Sequence, residues 1–138
     1  MRVAVLIAVV AGVVAAGATA ATPIKAKLTT TTPTPVVDEP WRWTVTVRSA
    51  AGVALPARMR LQILTGETVV GCWKGGAMVQ CFSQTAGDWI VFKGKRTGML
   101  RWPAASLGVK LTFQALVKAQ RQTRKLRAPV TVQPAPAP

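Results

Sequence analysis

Residues Trp41 to Val47 alternate without a break: Trp41, Trp43, Val45 and Val47 fall on one side, Arg42, Thr44, Thr46 and Arg48 on the other. A period of two demands a half-buried β-strand, because successive side chains leave opposite faces of the pleated chain. The pattern recurs. Met59, Leu61 and Ile63 oppose Arg58, Arg60 and Gln62; Val109, Leu111, Phe113, Ala115 and Val117 oppose Lys110, Thr112, Gln114 and Lys118. Shorter apolar runs occupy Thr68 to Trp73, Met78 to Phe82, Trp89 to Phe92, Gly98 to Trp102 and Leu126 to Val132. Turn signals at Ala51-Gly52, Pro56, Thr65-Gly66-Glu67, Thr85-Ala86-Gly87-Asp88, Pro103 and Gln120 to Thr123 separate them. Short strands punctuated at intervals of roughly 8–12 residues, with no helical period, predict an all-β chain: an antiparallel sandwich or small barrel. Pro129 inside the last run places that strand at an edge or at a bulge, since proline cannot donate to a ladder.

The ends read differently from the middle. Arg2 precedes an uncharged apolar run, Val3 to Ala16, and Ala18-Thr19-Ala20 fits an A-x-A cleavage pattern, so residues 1–20 are expected to be a secretory signal peptide. The run is shorter than the roughly 20 residues that cross a bilayer, which disfavours a retained anchor and leaves no membrane span after cleavage. Residues 21–36, with Thr29 to Pro35 reading TTTTPTP, are expected to form an extended segment or edge, residues 37–133 the sandwich, and the Pro/Ala tail 134–138 an unpacked polyproline-like end. The expected location is secreted, extracellular or at the cell envelope.

Export bears on Cys72 and Cys81, the two cysteines of the chain. In an oxidising compartment they are expected to pair. A two-residue turn at Gly76-Ala77 would set Cys72 directly opposite Cys81 at a non-hydrogen-bonded position, where Cα atoms stand about 4.5 Å apart. A turn at Gly75-Gly76 would instead set Cys72 against Val79.

The order of features resembles a known group. Pro40-Trp41-Arg42-Trp43-Thr44-Val45-Thr46-Val47 leads into Gly52-Val53-Ala54-Leu55-Pro56 and the strand Met59 to Leu64. Leu100-Arg101-Trp102-Pro103, Gly108-Val109-Lys110-Leu111-Thr112-Phe113-Gln114-Ala115 and a closing Leu126 to Val132 follow. This is similar to the small exported immunoglobulin-like β-sandwich domains of bacterial, especially actinobacterial-type, cell-surface proteins, over residues 37 to 133. The resemblance implies an immunoglobulin-like or fibronectin III-like sandwich serving binding, adhesion or structure, with no catalytic residues to carry over. Cys72 and Cys81 lie too close in sequence to be the long-range disulfide of antibody domains.

The inventory of reactive groups is thin. Without histidine the chain has no Ser-His-Asp or Cys-His nucleophile system and no imidazole metal ligand. Its carboxylates are Asp38, Glu39, Glu67 and Asp88. A glycosidase would need two of them flanking one bond, so Glu67 and Asp88 would have to converge; Asp38 and Glu39 lack the graded ladder of a calcium loop. The expectation is a non-enzyme without cofactor or metal.

Charge is the feature left to explain. The chain has 18 Lys and Arg against 4 Asp and Glu; with Arg2 removed by cleavage the balance is 17 to 4, a net of +13. Lys93, Lys95 and Arg96 crowd one predicted turn near Arg101, and Arg121, Arg124, Lys125 and Arg127 form a second cluster at the final hairpin. Such potential attracts polyanions. Outside a cell these are anionic cell-envelope polymers, and other envelope proteins are further possible partners; no nucleic-acid-binding motif is present. The alternative is a glycan or small-ligand module using exposed tryptophan faces. Trp41 and Trp43 share a face with Val45 and Val47 and are expected in the core, which leaves Trp73 and Trp102 as the candidates.

Overall fold

The computed structural model describes residues 22–138; the expected signal peptide, residues 1–20, lies outside them. Nine strands are described: β1 Lys25–Thr30, β2 Pro40–Arg48, β3 Pro56–Thr65, β4 Thr68–Lys74, β5 Ala77–Gln80, β6 Trp89–Lys93, β7 Lys95–Arg101, β8 Lys110–Ala119 and β9 Gln122–Thr131. One 3-10 turn, Ala104–Ser106, completes the regular structure. The strands form two antiparallel sheets in a sandwich. The smaller has the order β1-β2-β7; the larger runs β5-β4-β3-β8-β9, with β6 also paired to β3.

Alternation dictates what the sheets enclose. Trp41, Trp43, Val45 and Val47 from β2 meet Met59 and Leu61 from β3 and Phe113, Ala115 and Val117 from β8. Trp41 is the hub: its ring stands edge-on to Trp102 and to Phe113, with centroids 5.3 and 5.1 Å away. Its indole N–H donates to the Thr32 carbonyl at 2.7 Å, so the buried polar end is satisfied. Val109, expected to face inward, lies just before β8 and is 39% exposed.

The domain boundary needs moving. Residues 21–36 contain β1, which pairs with β2 from Lys25↔Arg48 to Thr30↔Trp43. Ala26 and Leu28 pack against the core while Lys25, Lys27 and Thr29 point outward, a short alternation hidden beside the Thr/Pro run. Residues beyond β1 follow the end of β9, with Thr131 N–H donating to Pro33 O and Gln133 N–H to Pro35 O. The sheet therefore begins at Lys25. β9 ends the strand path of the larger sheet, as Pro129 requires.

Two connections differ from the sequence reading. The cysteine hairpin turns at Gly75-Gly76, with φ of 63° and 83°, so Cys72 stands opposite Val79. Two successive positive φ values match the twist of flanking strands, and glycine adopts them at little cost. Cys81 lies one residue beyond β5, its N–H donating to Val70 O at 3.3 Å; the disulfide to Cys72 forms with Cα atoms 5.7 Å apart. The last hairpin is likewise tighter than Gln120 to Thr123: Gln120 and Arg121, both at positive φ, form the whole turn.

Candidate functional site

Most of the cations lie on the outer faces of both sheets. The expected Lys93, Lys95 and Arg96 turn is instead a corner at Gly94, where the chain leaves the larger sheet for the smaller. Gly94 has φ of 73°, its N–H donates to Leu55 O, and a Cβ there would stand 2.6 Å from the Ala54 Cβ. Lys93 thus ends β6 in the larger sheet, Lys95 opens β7 in the smaller, and Arg96 sits exposed opposite Val45. The second cluster is also dispersed, because β9 alternates. Lys125 and Arg127 point outward, Arg124 takes the inner parity and donates to Gln122 Oε1 at 3.0 Å, and Arg121 occupies the turn.

On the smaller sheet, pairing aligns Lys25 with Arg48, Lys27 with Thr46 and Lys95, and Thr29 with Thr44 and Thr97. Arg42 and Arg101 extend this outward face, and the Thr44 and Thr97 hydroxyls are 3.1 Å apart. No carboxylate lies among these positions.

The outer face of the larger sheet is more elaborate. Arg58 stands across from Lys118, Arg60 from Leu116, and Gln62 from Gln114; β9 adds Thr123, Lys125 and Arg127 in the same rows. One row is a continuous polar ladder. Arg127 donates from both terminal nitrogens to the Glu67 carboxylate at 2.8 Å and from Nε to Gln114 Oε1 at 2.8 Å. Gln114 donates to Gln62 Oε1, and Gln62 donates to the carbonyls of Gln84 and Ala86. Gln62 and Gln114 are buried, and each amide is occupied, which is how such a row avoids the cost of orphaned polar groups. The Arg127 guanidinium holds the Glu67 carboxyl below its ordinary value, chiefly by hydrogen bonding. The pair's small, solvent-screened contribution is therefore present at neutral pH and fades as acid protonates Glu67.

This ladder fixes the loop of residues 81–88 against the sheet. Arg60 Nε donates to Gly87 O at 3.2 Å, Asp88 N–H to Trp73 O at 2.7 Å, and Gly75 N–H to Asp88 Oδ2 at 2.8 Å. Leu64, Val69 and Cys72 are buried on this face, apart from the inter-sheet core. The loop delivers Trp89 to the sheet, where Arg58, Arg60 and Lys118 surround its ring at 4.6, 4.2 and 5.3 Å from the centroid. Arg58, Arg60 and Lys118 were outward-facing in the sequence but not recognisable as neighbours, since only strand pairing brings them together.

The tryptophan candidates fare otherwise. Trp102 is 1% exposed and packed on Trp41, so it offers no stacking face. Burial follows from β2 and β7 pairing, which aims residues 100 and 102 inward. Trp73 is half-buried and packs against the core. Two carboxylates have separate engagements, Glu67 with Arg127 and Asp88 with the Gly75 N–H, while Asp38 sits at a positive-φ turn where its backbone carbonyl accepts from Arg101. No group of three or more metal-ligating residues occurs among the described residues.

The chain matches no known family model and no curated protein. Among solved structures it is similar to the sporulation control protein Spo0M of Bacillus subtilis, with a TM-score of 0.44 and 12% identity over 80% of this chain and 49% of that one. The chain spans about half the length of that neighbour.

Proposed function

We propose that this protein is an exported, non-catalytic module that attaches to anionic envelope polymers through the outer faces of its sandwich. One observation carries the reading: both faces present rows of lysine and arginine, while Arg127–Glu67 is the one salt bridge among the described residues. Cations held at strand spacing without carboxylate partners attract a polymer of repeated negative charge and release its counterions. The disulfide is compatible with an extracellular location. Retention of the purified protein on cell-wall material, eluted with a salt gradient, tests this. Binding is expected to fall by about a thousandfold between 50 and 200 mM salt if six charges are engaged. Retention indifferent to ionic strength would sink the reading.

A second reading, small-ligand binding, draws on a different feature. An apolar groove of about 640 Å³ opens between β7 and the β4–β5 hairpin, lined by Ile63, Val70, Met78, Leu100, Trp102 and Leu111. Trp102 also has a buried indole N–H with no partner. That N–H is closed off from the groove, so the wall fits a small apolar molecule. The neutral dye N-phenylnaphthylamine should brighten on binding and lose that response in Met78→Trp, which fills the groove; no brightening in the unmodified protein would remove this reading.

A further inference from the structure

We infer that the end of the larger sheet around Trp89 is a phosphoryl-binding subsite formed by Arg58, Lys118 and Arg121. The inference rests on the polyanion reading and gives it a place and a ligand chemistry. Three cationic head groups, those of Arg58, Arg60 and Lys118, lie within 5.3 Å of the Trp89 ring centre. No two can therefore stand more than about 10 Å apart, a separation that 0.1 M salt screens only in part. The ring face offsets some of that repulsion, by about 0.5–1 kcal/mol per exposed cation. Neighbouring carboxylates do not supply the rest. Glu67 is committed to Arg127, and Asp88, although adjacent to Trp89, is turned to the Gly75 N–H.

The cluster is open on one side. A shallow basin is lined by Pro56, Arg58, Val91, Lys118, Gln120 and Arg121, so two of the cations on Trp89 also face a third from the β8–β9 turn. The tight Gln120-Arg121 turn positions that third cation, and Arg60 is tied back to Gly87 O rather than free to move. An arginine fork matches the oxygens of a phosphoryl group in pairs and lysine adds a point charge, and three cations balance a terminal phosphoryl group of roughly −1.5 to −2 charge better than a single carboxylate. Val91, 78% exposed at the basin wall, gives the carbon part of an ester an apolar surface.

Trp89 is the reporter. Long-chain inorganic polyphosphate, titrated at low ionic strength, should change tryptophan emission in the unmodified protein and leave it nearly unchanged in Trp89→Phe, which should still bind in a sedimentation assay. Free inorganic phosphate should produce the same change at much higher concentration, and poly-glutamate a weaker one at matched charge. The double variant Arg58→Gln/Lys118→Gln should weaken polyphosphate binding at least about tenfold. The variant Lys27→Gln/Lys95→Gln removes the same charge from the other sheet and should weaken it less than about threefold. Equal losses in the two variants would overturn the subsite and leave diffuse attachment standing. Absence of polyphosphate binding altogether would overturn both. Unchanged thermal unfolding in each variant shows that the fold has survived, as expected for cations on solvent-facing rows.

Discussion

Replacing Trp41 with Ala should destabilise the protein by about 3–5 kcal/mol, the range seen when a large buried aromatic is truncated. That is a large share of the roughly 5–15 kcal/mol that holds a domain of this size together. The side chain is 1% exposed, joins Trp102 and Phe113 edge-on, and ties its N–H to the segment leading out of β1. Three kinds of contact therefore vanish together: burial, aromatic pairing worth about 0.5–1.5 kcal/mol each, and one satisfied hydrogen bond. Trp43 makes a useful contrast, because its buried indole N–H has no partner. Trp41→Phe should consequently cost more than Trp43→Phe when urea midpoints are compared. A Trp41→Ala midpoint close to that of the unmodified protein would show that the two sheets are not held by this cluster.

Reduction of the Cys72–Cys81 disulfide should lower stability by about 2.7 kcal/mol, the loop-closure value for about ten residues. The cross-link joins a residue of β4 that is fully buried to the start of the loop that covers it. Its effect should be confined mainly to the unfolded state. Gln62, Arg60 and Asp88 continue to hold the loop through their own bonds once the sulfurs are separated. Denaturant curves with and without reductant give the energy difference, and Trp89 emission before unfolding reports whether the loop has moved. A stability difference near zero would show that the cross-link removes no net freedom from the unfolded chain.

Much of the fold was legible because a two-residue period is a local property. Trp41 to Val47 and Leu111 to Val117 carried both strand and buried face in their own residues, and both faces agree with the structure. What was hidden is register. Two adjacent glycines permit either cysteine turn, and only the twist matching of consecutive positive φ values selects Gly75-Gly76. The cation clusters failed for a related reason. Lys93, Lys95 and Arg96 are neighbours in sequence, but a corner between sheets divides them. Arg58, Lys118 and Trp89 are far apart in sequence, and pairing of β3 with both β6 and β8 collects them. Trp102 illustrates the converse: a tryptophan before proline at a strand end looked exposable, yet the opposing sheet covers it.

The most direct measurement is the affinity of the whole protein for polyphosphate across a series of salt concentrations. Attachment through unpaired surface cations predicts that log K falls linearly with log salt, with a slope of about −3 or steeper. A slope near zero, with binding intact, would contradict it.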